Sequence, residues 1–354
     1  MDEHILFFSD DIKNLNFYQQ NEEFFRGKKV YVRLNEMGSF LLRPNTIHYF
    51  YINEIIARMY WREHHLLSYF NGKKDTVKIA IVGFGELGKN MLNYGLLNNI
   101  YDLSQQIEYH IWGDSSLYEH SMEDMNLMNG DRIIYHGENW KEHIQQFREM
   151  DRIIITDEVQ MELLQTFLYI CNDAEIHYYN PGDALLEKIY NKDHLVSYGR
   201  YTDIFTENNI KSDELYRVAK ELNYKYACLY GSVSGEADKK AEEMKEQWEL
   251  LDGFTKGSNI ASADYHEIRK LLLMKAKKEG TELSMEQLGQ MEHIRWCRFH
   301  YLNHWTYGVP ENGKNKDAVH KIHVCLLPFE KLTKEDQKKD YEAVEVLLEL
   351  MPID

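Results

Sequence analysis

The stretch VKIAIVGFGELG at 77–88 constrains the fold more than any other part of the chain. A short apolar run breaks into Gly83-x-Gly85-x-x-Gly88 and passes into helix-forming residues. Glycines at this spacing have separate jobs. Gly83 permits a tight turn out of a buried strand, Gly85 lets backbone approach a pyrophosphate with no Cβ in the way, and Gly88 lets the next helix pack close to the strand. The start of that helix offers unpaired N–H groups and a positive dipole end to an anion. The stretch predicts a nucleotide-phosphate cradle in an α/β fold, or a loop that keeps the fold without the ligand.

The pattern continues regularly from there. Strands are expected over 78–82, 107–112, 132–135, 152–155 and 175–179. Helices are expected over 86–98 and 140–150, and a third runs from the capping-box spacing Asp157-Glu158-Val159-Gln160 to near Cys171. Such alternation implies right-handed crossovers and a parallel sheet with both faces covered. Ligands in these sheets sit beyond the carboxyl ends of the strands. That rule selects Gly83, Phe84, Gly85, Glu86, Leu87, Gly88, Asp114, His136, Thr156 and Asp157 as the rim of a cofactor site. Asp114 either accepts hydrogen bonds from a ribose or is a solvated turn residue.

Before this unit, 4–8 and 30–34 read as strands, and an extended segment over 46–51 leads into a helix over 53–69. This part has no glycine loop and looks like the second half of an α/β unit that docks on its neighbour. After it, Ser212-Asp213-Glu214 caps a helix with an apolar stripe of Leu215, Val218, Ala219 and Leu222. The polar run over 232–247 reads as a solvated connector. From Trp248 onward the chain reads as helical. Ser284-Met285-Glu286-Gln287 is a capping box opening a helix over 285–303. On that helix Glu292, Arg295, Trp296, Phe299 and Asn303 share one face, and Met291, Ile294 and Leu302, with Trp305 beyond, mark another. Apolar groups on both sides enclose the helix, so Glu292 and Arg295 must be paired or hold a ligand. A lysine-bearing loop over 313–321 follows, and Thr333 caps a last helix to about 350. The divisions are an N-terminal α/β segment at 1–75, a nucleotide-binding domain at 76–195, a helical connector at 196–247 and a helical domain at 248–354.

Composition narrows the partners. A length of 354 residues allows two or three cores, and 44% apolar residues with 25 tyrosines argue against disorder. A net charge of −17 argues against direct nucleic-acid binding, whereas a small nucleotide needs only a glycine loop and a few local cations. Cys171, Cys228, Cys297 and Cys325 form no CxxC pair, which fits reduced thiols in a cytoplasmic protein. No apolar run approaches bilayer length, and MDEHILFF lacks the basic region and long apolar core of a signal peptide.

The C-terminal stretch resembles the ryanodine-receptor repeat, the RyR domain, which also occurs in bacterial and archaeal proteins. The resemblance is carried by Ser258-Asn259, 261–266, EHIRW at 292–296, WTYG at 305–308, His323, LLPF at 326–329, Leu332 and KKD at 338–340. Ile260, where a basic residue is usual, and Asn303-His304, where glycine is common, depart from it. The middle stretch is similar to the RCK or TrkA N-terminal type of Rossmann domain through Gly83, Gly85, Gly88 and the strand order. Together these resemblances imply a regulatory protein that senses a nucleotide-type signal, in antiviral defence or in ion-channel regulation. They also imply a homo-oligomer, with a membrane protein or a defence effector as partner. Some proteins of this kind carry transmembrane channel segments ahead of the Rossmann unit. The start of this chain accordingly reads either as a soluble relative or as the remainder of something longer.

Four functions compete. A sensor would hold a nucleotide, NAD(H) or another adenine nucleotide, on the glycine loop. It could also use a pocket of the RyR module built from Glu292, Arg295, Trp296, Trp305, Tyr307 and Lys339, since aromatics beside cations suit a flat base with an anionic tail. An enzyme, NAD-dependent or nucleotide-hydrolysing, would need an acid or base near the ligand. The sequence offers only His136 locally, with no GxSxG or placeable Cys–His pair. A third reading sets His293, His300 and His304 around a metal ion, and a fourth makes the chain a structural interaction module. The sensor reading is the one that uses both motifs, and it requires no catalytic residue.

Overall fold

The computed structural model describes residues 2–35, 47–70, 76–157, 161–182, 186–190, 192–211, 214–233, 235–311 and 313–352. The first part runs β1 (Glu3–Leu6), α1 (Asp11–Gln20), α2 (Glu22–Phe25), β2 (Lys29–Leu34), β3 (Ile47–Tyr51), α3 (Ile52–Glu63) and α4 (Leu67–Phe70). Strands β1, β2 and β3 form a parallel sheet in that order. Then come β4 (Val77–Val82), α5 (Glu86–Asn98), β5 (Ile107–Trp112), α6 (Ser116–Ser121), β6 (Arg132–Tyr135), β7 (Arg152–Ile155), α7 (Met161–Ile170), β8 (Glu175–Tyr179), α8 (Leu186–Tyr190) and β9 (Leu195–Tyr198). These six strands make one sheet, parallel throughout, in the order β6-β5-β4-β7-β8-β9.

The rest is mainly helical: α9 (Tyr201–Ile204), α10 (Glu207–Ile210), α11 (Arg217–Leu229), α12 (Lys240–Leu250), α13 (Gly253–Glu279), α14 (Met285–Leu302) and, after a loop region, α15 (Lys334–Leu350). Within that loop region lie β10 (Thr306–Tyr307), β11 (Lys316–Asp317) and β12 (Ile322–His323), a small sheet in the order β10-β12-β11. The chain is thus an α/β unit with a parallel sheet followed by a helical region, and that region is interrupted by a sheet the sequence did not signal. Among the described residues no helix is long and apolar enough to cross a membrane.

The period of two along the strands builds the core. Ile79 and Ile81 of β4 point into one apolar cluster, and Ala80 and Val82 into another on the opposite face. The first cluster joins the whole molecule, containing Tyr31, Trp61, Ile210, Tyr265, Met291 and Val344 besides the sheet residues. Its centre is α5, which packs against α3, α13 and α14. The approach to α3 is close. A Cβ on Gly95 would lie 2.9 Å from Trp61 Cζ2, and Trp61 Nε1 donates to Met91 O at 2.8 Å. The N-terminal segment therefore docks on the central unit through α3.

Several expectations are corrected. The helix foreseen over 53–69 stops at Glu63 and resumes as α4. Tertiary partners take the backbone groups a continuous helix would use: Leu66 N donates to Tyr101 OH at 2.7 Å, and His64 O accepts from Arg152. The helix foreseen over 140–150 is two 3₁₀ turns, Trp140–His143 and Gln146–Glu149. The chain must cross here from edge strand β6 to β7 beyond β5 and β4, roughly 14 Å at the usual strand spacing. A 3₁₀ turn, rising about 2 Å per residue, covers more distance than an α-helix. A sixth strand, β9, follows the expected last one; its LVSY is too short to stand out in the sequence. The polar connector contains α12, which has no buried residue. The expected helix starts at Ser212-Asp213 and at 158–160, and the extended Thr46, lie outside the described residues.

The capped helices match their signals. Ser284 and Gln287 form the reciprocal capping box of α14, and Thr333 caps α15. Helix α14 ends in a Schellman motif, with Trp305 N donating to His300 O at 3.0 Å and His304 N to Tyr301 O at 2.8 Å. That motif places its C′ residue in the left-handed region, and here the residue is His304, with φ of 62°. Gly280 fills the same place after α13, with φ of 69°.

Candidate functional site

The sheet order reverses between β4 and β7, because the chain moves outward from β4 on one side to β5 and β6 and on the other to β7, β8 and β9. A crevice opens outside the carboxyl ends of the strands at such a point. Here it measures about 610 Å³ and is lined by Gly83, Phe84 and Gly85 of the loop, Asp114 after β5 and Asp157 after β7. Lys89, Trp112, Gly113, Leu117, Tyr118, Glu138 and Trp140 also line it.

The loop is built by close contacts. Gly83 N donates to Trp112 O at 2.8 Å, and its φ of 92° is open only to glycine without strain. A Cβ there would also lie 2.4 Å from Asp157 Oδ2. Gly88 holds the helix to the strand, since its Cβ would meet Gly83 O at 2.3 Å. Thr156 Oγ1 donates to that same carbonyl at 2.6 Å. Gly85 is different. It is the N-cap of α5, and a Cβ added to it would come no closer than 3.8 Å, to Asp157 Oδ1. Protein packing leaves room for a side chain at 85, and the sequence leaves that room empty.

The expected rim residues thus divide. Gly83, Phe84, Gly85, Asp114 and Asp157 line the crevice; Gly88 and Thr156 shape the loop from behind; Leu87 is buried in the core at 7% exposure. Glu86 accepts from Lys89 Nζ at 2.8 Å and so anchors the cation that does line the crevice. His136 stands apart. Its ring lies flat on Trp112 at 4.2 Å, and its Nε2 is 2.8 Å from His110 Nδ1. Burial, with the neighbouring His110 and His143, lowers its pKa to about 4, so it is neutral at physiological pH.

The crevice offers mixed electrostatics. The N-terminus of α5 and Lys89 favour an anion, by about 0.3–1 kcal/mol for the dipole alone. Asp114, Glu138 and Asp157 supply acceptors suited to ribose hydroxyls. Asp114 Oδ1 already accepts from Ser116 Oγ at 2.9 Å. Partial burial against the loop raises the Asp157 pKa. The sequence reading missed Lys89, which sits one turn beyond Gly85, a spacing that could have revealed it. It also missed Trp140, which reaches the crevice through the crossover and had no such signal.

The residues expected to form an aromatic pocket in the C-terminal region are not brought together as one site. Trp305 is buried at 6% exposure with Cys297, Tyr301 and Leu326. His300 stands between the tryptophans, its ring 3.8 Å from Trp296 and 5.4 Å from Trp305. Tyr307 is exposed, and Lys339 is paired with Asp336 at 2.8 Å. Arg295 binds Glu292 rather than either indole: Glu292 Oε1 accepts from Arg295 Nη2 at 2.7 Å, and Oε2 accepts from Arg269 Nη2 at 2.7 Å.

The fold does assemble a Cys–His–Asp constellation that the sequence did not reveal. Cys297 Sγ lies 3.3 Å from His293 Nε2, and His293 Nδ1 lies 3.0 Å from Asp340 Oδ2. However, His293 Nε2 also donates to Leu327 O at 2.8 Å, and Cys297 has no exposed surface. Burial pulls the His293 pKa down, but Asp340 and Cys297 outweigh it and raise it to about 10. The charged imidazole ties the Leu327 loop to α15 instead of serving as a base. Of the histidines considered for a metal, His300 donates through Nδ1 to Trp296 O at 2.9 Å. Among the described residues no group of three or more His, Cys, Asp or Glu is arranged to hold a metal ion. Compared with known proteins, the chain matches no family model and no curated protein.

Proposed function

We propose that this chain is a regulatory sensor whose central unit is a Rossmann-type domain binding a nucleotide-type ligand, NAD(H) or another adenine nucleotide. The observation that carries the reading is the bare space at Gly85. Gly83 and Gly88 are explained by protein contacts, while nothing in the packing opposes a Cβ at Gly85, and its bareness fits a ligand approaching the loop from the crevice. The strand order supports it, being that of two mononucleotide-binding halves. So does the volume of about 610 Å³, within the usual range for small-molecule sites. A diphosphate would lie against the N-terminus of α5 beside Lys89, and Asp114 would accept from a ribose.

The crevice lining contains no histidine or cysteine, and its charged groups are Lys89, Asp114, Glu138 and Asp157. Helix α5 carries the consequence outward, since its far side packs on α13 and α14. Those helices belong to the region we read as a RyR-type module that passes the signal to a partner or to a second copy.

Calorimetric titration of the full chain with NAD, NADH, ADP-ribose, AMP and ATP tests this. At least one should bind saturably, and Gly85→Asp, which places a carboxylate in the phosphate space, should abolish that binding while the protein stays folded. Failure of every nucleotide, or equal binding by Gly85→Asp, would overturn the reading. Turnover of a bound nucleotide would replace it with an enzyme.

A further inference from the structure

Five arginines are enclosed among the described residues: Arg58 at 2% exposure, Arg152 at 3%, Arg269 at 0%, Arg295 at 2% and Arg298 at 0%. Three of them each have at least one carboxylate of their own. Arg58 holds Asp264 and Glu54, Arg152 holds Glu175, and Arg298 holds Asp131. Their guanidinium groups contain no buried nitrogen that lacks a partner.

Arg269 of α13 and Arg295 of α14 differ, because they share the single carboxylate of Glu292. Among the described residues, no other carboxylate forms an ion pair with either guanidinium group. Arg269 Nη1 lies 3.1 Å from His266 Nδ1, and burial, reinforced by Arg269, lowers the His266 pKa to about 4, leaving a neutral acceptor. Ser262 Oγ donates to Glu292 rather than accepting from an arginine. The nearby His293–Asp340 pair is neutral as a unit. The cluster therefore carries one surplus positive charge, and two of its donors, Arg295 Nη1 and Arg269 Nε, are buried with no hydrogen-bond partner. An unpaired buried charge with orphan donors is unfavourable on both counts, and a bound anion removes both.

We propose that Arg269 and Arg295 form a buried anion site, separate from the sheet crevice, for a phosphate-type oxyanion. The oxyanion is either free inorganic phosphate or the terminal phosphate of a larger ligand. It accepts from Arg295 Nη1 and Arg269 Nε and neutralises the surplus charge; guanidinium geometry suits such oxygens. Half-buried Tyr226 of α11 is close enough for the charges of Glu292 and Arg295 to act on its phenol.

The test is thermal unfolding of the full chain, carried out in the Gly85→Asp background to silence the crevice. Inorganic phosphate is titrated against sodium chloride at matched ionic strength, with AMP as a second arm. Phosphate, AMP or both should raise the melting temperature by more than chloride does. A response to AMP alone assigns the site to a larger ligand's phosphate. Arg295→Met restores charge balance, so it should lose the response and be no less stable than its parent in phosphate-free buffer. Glu292→Gln raises the surplus and should enlarge the response. The proposal is overturned by a parent that phosphate and AMP leave unmoved, or by Arg295→Met and its parent responding alike. If Arg295→Met does not fold, an unchanged response in Glu292→Gln overturns it equally.

Discussion

Arg298 Nη1 donates to Leu96 O at 2.8 Å, so a guanidinium from α14 caps the last turn of the helix whose first turn carries the glycine loop. The same group binds Leu127 O, Asn129 Oδ1 and Asp131 Oδ2 and has no exposed surface. A cation at a helix C-terminus stabilises the dipole whose positive end faces the crevice.

Removing that cation should be severe. In Arg298→Met, Asp131 keeps Ile107 N and Gln105 Nε2 as donors but loses its counter-ion inside the protein. A loss of about 3–5 kcal/mol is expected from leaving a buried charge unpaired. Denaturant unfolding measures it, and a loss below 1 kcal/mol, roughly that of an exposed pair, would show that the site is solvated.

The two loop glycines should separate stability from binding. Gly83→Ala meets both a left-handed φ and the Asp157 carboxyl, and should lower stability by roughly 1–3 kcal/mol. Gly85→Ala has room within the protein. It should leave stability within about 0.5 kcal/mol while weakening nucleotide binding by about tenfold or more. Melting curves and titrations on the two variants decide this; equal damage to stability would remove the special status of Gly85.

His304→Gly should stabilise the protein by about 1 kcal/mol, because a left-handed residue with a Cβ is strained and glycine is not. The comparison is internal: the Schellman motif after α13 already uses Gly280. A destabilised variant would mean that the His304 side chain makes a contact outweighing the strain.

Stability should fall in mild acid. Burial lowers the pKa of His177 to about 3, of His266 to about 4 and of His300 to about 3. The unfolded chain takes up these protons near pH 6.5, before the folded one does. The stability these neutral rings contribute is complete above that pH and is lost as pH falls toward 3–4. Each contributes a slope of up to roughly 1.4 kcal/mol per pH unit. His293 works in the opposite direction: its folded pKa, raised to about 10, gives stability that is complete below about 6.5 and lost as pH rises toward 10. Unfolding free energies between pH 4 and 10 should therefore pass through a maximum, and His293→Gln should flatten the alkaline side alone.

Cys297 should resist alkylation in the native state, since it is fully buried and burial raises its thiol pKa despite the adjacent His293. Native labelling with iodoacetamide followed by peptide mapping checks this. Modification as fast as that of a free thiol would show that the constellation opens to solvent.

Strand period, glycine spacing and caps were legible because they are local: strands over 107–112, 132–135, 152–155 and 175–179, the helix after Gly85, the capping box at Ser284 and the cap at Thr333 all follow from residues within a turn or two. The parallel sheet followed from their alternation. Tertiary structure decided whatever depends on residues far apart in the chain. It broke the helix after Glu63 by giving Leu66 N to Tyr101, stretched the 140–150 crossover into 3₁₀ turns, and drew Trp140 to the crevice. It also brought Arg269 of α13 to one oxygen of Glu292, whose other oxygen binds Arg295 of the same helix. Helical spacing puts Glu292 and Arg295 on one face of α14 within pairing distance, but it cannot show the second guanidinium, Arg269, that another helix brings to the same carboxylate. That pairing is set only when α13 and α14 pack together.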